Sequence, residues 1–177
     1  MGLTITALGK EEGPALWFLN TLTIVKATSS QTGGAFGLIE QLAPVGVGSP
    51  YHVHRAEEQS FYILEGELEF LSEGRRFVRG AGTYVFLPRD IPHGFRVVGA
   101  ATARFLVLAT PGGFEGFVTE MGEPASDLRL PEPSAPNMEK LGALAAKYRI
   151  EILGPLPDYY NWQARRETDA NCGLGIP

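Results

Sequence analysis

"SPYHVHRAEEQSFYILEGELEF", residues 49–70, carries two of the chain's three histidines, His52 and His54, with Glu57, Glu58 and Gln59 close behind. Side chains of a strand alternate between its faces, so residues two apart share one face. His52 and His54 therefore aim at the same spot. The aromatic and β-branched run that follows reads as a second strand, closed by a turn at Glu65-Gly66. Parity in that run places Glu57, Gln59, Phe61 and Ile63 on one face and Glu58, Ser60, Tyr62 and Leu64 on the other. The apolar Phe61 and Ile63 belong inside, which turns Gln59 inward and Glu58 outward. A bulge or a one-residue slip would exchange the two.

Outward from this stretch the chain reads as a series of short strands from about Leu16 to Thr110. "ALWFLNTLTIVKAT", "AFGLIEQLAP", "GTYVFLPRD", "HGFRVVG" and "ARFLVLAT" are rich in strand-forming residues and separated by glycine turns. Many short strands at this spacing predict an all-β antiparallel barrel or jelly roll. After Pro111 the pattern changes. Phe114, Phe117, Val118 and Met121 fall at helical spacing, and a second helix is predicted over about 137–148. Asn137 is its N-cap, and Met138, Leu141, Ala145 and Tyr148 share one face. Between them, "EPASDLRLPEPSAPN" is a proline-rich connector in which a regular element is not expected. "IEILGPLP" reads as a short strand or arm laid against the barrel, and "RRETDANCGLGIP" as a tail. One domain is expected, with residues 1–110 forming the β-barrel and 111–177 supplying helices, arm and tail packed upon it.

Composition narrows the function classes. The 177 residues are 44% hydrophobic and 20% charged, with a net charge of −5 and no basic run, which argues against nucleic acid as a partner. No apolar stretch has the length of a membrane span. The first residues lack the basic and apolar regions of a secretory signal. The single cysteine, Cys172, rules out an intramolecular disulfide and allows a reducing compartment, so a cytoplasmic location is expected.

His93, the third histidine, opens a later strand after "LPRDIP". Neighbouring antiparallel strands can carry it beside His52 and His54. Three neutral imidazoles converging inside a barrel make a site for a divalent transition metal such as Fe, Ni, Mn, Co, Cu or Zn.

The glycines and proline around these histidines resemble the two motifs of the cupin superfamily. Gly46, His52-Val53-His54 and Gly66 follow the first motif; Gly82, Pro88 and His93 follow the second, with Asp90 where the motif has glycine and Val97 where it has asparagine. Within the superfamily, "HVHRAEEQSFYILEGELEF" with the "PGGFEGF" helix and "ILGPLP" arm is similar to the quercetin 2,3-dioxygenase-like monocupins. That resemblance implies a cupin jelly-roll barrel with a C-terminal helical appendage, a homodimer, and a metal held by His52, His54 and His93. It also implies a glutamate as fourth ligand and base. Motif spacing puts that residue at Gln59, and the shorter spacing at Glu58.

An inward glutamine changes the chemistry. Its amide oxygen is a weaker ligand than a carboxylate and cannot accept a proton at useful pH. A metal held by His52, His54, His93 and Gln59 keeps its full charge and favours an anionic or enolisable substrate. The base then has to be Glu57 or Glu58 at the rim, or the substrate arrives ionised. Tyr51, Phe61 and Phe95 are candidate walls of a hydrophobic substrate pocket, although core packing is the commoner role of such residues. The expected activity is that of a metal-dependent oxygenase on a hydrophobic enol or phenol such as a flavonol. The alternative is a non-oxidative cyclase or isomerase of secondary metabolism, with or without metal.

Overall fold

The computed structural model describes residues 5–157. In chain order its elements are β1 (Ala15–Phe18), β2 (Thr21–Ala27), β3 (Gly37–Ala43), β4 (Tyr51–His54), β5 (Glu58–Glu65), β6 (Glu67–Ser72) and β7 (Arg75–Gly80). They continue with β8 (Tyr84–Leu87), β9 (His93–Val98), β10 (Ala103–Thr110), α1 (Phe114–Met121), β11 (Glu123–Pro124), α2 (Met138–Lys147) and β12 (Ile150–Gly154). Two antiparallel sheets face each other in a jelly roll. One has the order β11-β1-β2-β3-β10-β5-β8 and the other β12-β4-β9-β6-β7. The short β11 lies in the proline-rich connector, where no element was expected; it adds an edge pairing to β1.

The alternation read from the sequence is what closes the two faces on each other. Along β10, Ala103, Phe105, Val107 and Ala109 are buried while Arg104, Leu106 and Leu108 face outward half-buried. The cross-strand partner β5 buries Gln59, Phe61 and Ile63 in register with Ala109, Val107 and Phe105. Phe70 on β6 and Phe95 on β9 meet Phe61 from the opposite sheet, each with ring centroids 5.3 Å from it. The edge-on geometry of these pairs suits the ring quadrupoles. Phe86 sits on the outward parity of β8 and is 51% exposed.

Turn chemistry fixes the register. Gly66 has φ 77°, and a Cβ there would lie 2.7 Å from both Ala103 Cα and Thr102 O. Asp90, standing where the cupin motif has glycine, adopts φ 66°. Aspartate tolerates this left-handed region better than most residues. Here Asp90 is held in place: its N–H donates to His54 O at 2.9 Å, and Oδ1 accepts from Arg55 at 3.0 Å.

The appendage packs on one end of the sandwich. Asn137 caps α2 by accepting from Lys140 N at 2.9 Å, and Leu141 and Ala145 are buried, as the periodicity predicts. Met138 departs from that reading: at the first helical turn it lies beyond the packed surface and is 65% exposed. The arm is a true strand, with Ile150 opposite His54 and Ile152 opposite His52. Cys172 and the tail after Pro157 lie outside the described residues.

Candidate metal centre and its cavity

Register brings the three histidines together. β4 and β9 are neighbours with His52 directly opposite His93, and His54 follows on the same face. Their ligand nitrogens all lie within 4.8 Å of one another, and all three side chains are buried.

Each ring is held from behind by an oxygen that can only accept. His52 Nδ1 donates to Pro50 O at 2.8 Å, His93 Nδ1 to Ile91 O at 2.8 Å, and His54 Nδ1 to the Glu57 carboxylate at 2.6 Å. A neutral imidazole that donates from Nδ1 presents a lone pair at Nε2. The Nε2 atoms of His52 and His54 therefore face each other, 3.0 Å apart, with lone pairs opposed. His93 Nε2 is buried with no hydrogen-bond partner. Opposed lone pairs and an orphaned acceptor are costly unless a cation lies among them. A divalent ion binds imidazole nitrogens at about 2.0–2.1 Å, so nitrogens clustered within a few ångström of one another are the donor set it requires. The residues present thus fit such an ion, with oxygen partners fixing the tautomers as metal-ligating histidines require.

The same burial keeps the rings neutral. His52 is held well below the usual histidine range, first by desolvation and then by its histidine neighbours. Desolvation lowers His93 to about 4. Neutral imidazoles are the form that binds metal.

His52 and His54 line a cavity of about 80 Å³, with His93 buried beside them. Phe61, Phe95 and Val107 form its walls, and Phe114, Phe117, Leu141 and Ile152 cover it from the appendage. The Phe114 ring stands edge-on to His54 at 5.4 Å. Gln59 is only 3% exposed and lines the cavity, and its amide makes no hydrogen bond among the described residues.

Other candidates are placed differently. Glu57 is 4% exposed and lies behind His54, not at a rim. The chain between β4 and β5 is irregular there, so strand parity does not extend back to Glu57. Glu58 faces outward and pairs with Arg89 at 2.9 Å. Neither carboxylate lines the cavity. Tyr51 also lies outside it: alternation along β4 turns it away from His52, and burial together with the nearby Glu73 charge raises its pKa. On the opposite side of the cavity are Thr21 and Gln41, which the sequence reading passed over. The signal was present: in "GLIEQLA" the inward parity of Ile39 and Ala43 also carries Gln41.

Comparison with known proteins agrees with this architecture. The Cupin domain family matches residues 38–109. Quercetin 2,3-dioxygenase of Bacillus subtilis is 28% identical over 145 residues, covering 81% of this chain and 43% of that protein. Dimethylsulfoniopropionate lyase DddQ of Ruegeria pomeroyi is 48% identical over a shorter stretch, 30% of this chain and 26% of the lyase. The chain thus spans less than half the length of either relative. Among solved structures, the polyketide cyclase RemF from Streptomyces resistomycificus superposes with a TM-score of 0.53 at 24% identity, over 77% of this chain and 92% of that one. That likeness concerns the fold.

Proposed function

We propose that this protein, whose residues 38–109 match the Cupin domain family, is a metal-dependent oxygenase acting on a hydrophobic enol or phenol of the flavonol type. The carrying observation is the cluster of three buried histidines whose ligand nitrogens lie within 4.8 Å of one another, with His93 Nε2 orphaned and with His52 and His54 on the wall of a largely apolar cavity. The relationship to a quercetin dioxygenase over 81% of the chain supports the substrate class.

His52, His54 and His93 would hold the metal, with Gln59 a neutral fourth ligand or a hydrogen-bonding group beside it. A bound divalent ion would supply Lewis acidity toward an ionised substrate oxygen and, when redox-active, reactivity toward O₂. The protein's own part is to orient and to exclude water. Phe61, Phe95 and Phe114 confine a planar ring system, and the Gln59 amide can donate to or accept from the substrate without taking its proton. With no carboxylate on the described cavity wall, the enol or phenol is bound as its anion, which the uncompensated charge of a metal on neutral ligands favours. A cavity of about 80 Å³ is smaller than the roughly 300–1,000 Å³ of pockets for multi-ring ligands. Such a substrate enters by displacing the α1–α2 cover.

Oxygen uptake by Fe-, Ni-, Mn- or Co-loaded protein on addition of 3-hydroxyflavone or its hydroxylated derivatives tests the reading. Uptake that vanishes on chelation supports it, and none with any of the four metals removes it. The missing wall carboxylate favours one second reading, a non-oxidative cyclase or isomerase. That activity would persist under chelation and without air.

A further inference from the structure

The far wall of the cavity holds a hydrogen-bond relay whose direction can be worked out atom by atom. Thr21 Oγ1 lies 2.6 Å from Phe18 O, a carbonyl that only accepts, so the single Thr21 hydroxyl proton goes there. Thr21 Oγ1 must then accept from Thr23 Oγ1, 2.9 Å away, which uses the Thr23 proton. Thr23 Oγ1 in turn lies 3.1 Å from the Gln41 amide and has only acceptor capacity left. The amide group facing it is therefore the NH₂ and cannot be the oxygen. Nε2 also reaches Thr21 Oγ1 at 3.4 Å.

The consequence falls on the other end of the amide. Gln41 is 5% exposed and lines the cavity, and its Oε1 has no partner among the described residues. Phe18 O thus locks a chain of donors that leaves one neutral acceptor on an otherwise apolar wall. An acceptor that has no protein partner and keeps accessible surface on a largely apolar wall gains a hydrogen bond when a ligand donor reaches it.

We infer that Gln41 Oε1 is a second polar subsite, taking a hydroxyl or N–H group of an otherwise apolar aromatic ligand, with Thr21 and Thr23 as positioning residues. The inference rests on the reading of this cavity as the substrate site. Gln41 lies apart from the metal end. Gln59 is in register with Ala109 and, through it, with Gly37, four residues back along β3 from Gln41. That is roughly 13 Å along the strand direction. The subsite therefore selects for a donor on the end of the ligand remote from the histidines.

The test uses two isosteric fragments, phenol and toluene, of which only phenol donates. Both are titrated by ligand-observed NMR into the full chain, with chelator present to keep the phenol oxygen off any metal. The wild type is expected to prefer phenol about five- to tenfold, the range of one neutral hydrogen bond. Gln41→Met should reduce the preference to less than about twofold with toluene binding equal or tighter. Thr23→Val, which frees the amide to turn, should give an intermediate value. A phenol preference that survives in Gln41→Met overturns the subsite, as does a wild type that binds neither fragment or both equally. In parallel, 3-hydroxyflavone and its 4′-hydroxy derivative are titrated. If phenol behaves as expected and neither flavonol binds, the subsite stands and the flavonol reading falls.

Discussion

Glu57 shows how much one buried carboxylate can decide without touching a ligand. It accepts from His54 Nδ1 at 2.6 Å and so fixes both the ring orientation and the tautomer that leaves Nε2 free. His52 and His93 obtain the same service from backbone carbonyls, Pro50 O and Ile91 O, which no side-chain substitution removes. His54 is thus the one of the three histidines whose support a side-chain substitution can alter. Glu57→Ala is expected to weaken binding of a divalent transition metal by about 10- to 100-fold. Glu57→Gln, which keeps an acceptor oxygen, should lose less. Competition against a chelator of known affinity measures both, and an unchanged affinity in Glu57→Ala would show that these imidazoles do not hold the metal together.

At the level of elements, the appendage packs on the sandwich and walls the cavity. Glu115, 6% exposed, sets the start of α1 by accepting from Ser29 N at 2.6 Å and from Gly113 N at 2.9 Å. Phe117 then packs against Phe18 at 5.7 Å and Tyr148 at 5.9 Å, joining α1 to β1 and to the end of α2. Leu141 of α2 is buried over the cavity, whereas Met138, one turn earlier, reaches solvent. Leu141→Ala should therefore cost about 2–5 kcal/mol. Met138→Ala should stay within about 0.5 kcal/mol. Denaturant unfolding at one pH separates the two, and equal effects would mean that α2 does not seat on the sandwich by this face.

For the whole molecule, burying neutral histidines ties stability to pH. His93 is lowered to about 4, and His52 lies well below its ordinary value of 6.5. Between pH 6.5 and about 4 the unfolded chain takes up protons that the folded, metal-free protein refuses, so stability falls as pH drops through that window. Below about 4 the His93 contribution is fully spent. His93 alone should account for a loss on the order of 3 kcal/mol across it, with His52 adding in the same direction. Urea unfolding of chelated protein from pH 7 to 4 checks this, and a flat profile would mean that the buried rings are not desolvated. The described residues contain no helix long and apolar enough to cross a membrane.

Much of the fold was legible because strand parity and turn residues are local. "HVH" fixes two side chains on one face, Phe61 and Ile63 carry Gln59 inward, and Gly66 marks a turn that no Cβ can occupy. The sequence therefore determined the jelly roll, its glycine turns, the inward glutamine and the presence of three imidazoles. The placement of Glu57 and the hydrogen bonding of Gln41 were decided only by tertiary structure. Glu57 sits in an irregular link where parity has no authority, and it finds His54 only when that link folds back. Gln41, inward by parity, gains its threonine partner because β2 lies beside β3 and brings Thr23 directly opposite it. Hydrogen bonds of this kind depend on distances of tenths of an ångström between strands, and that information exists only once the sheets have closed on each other.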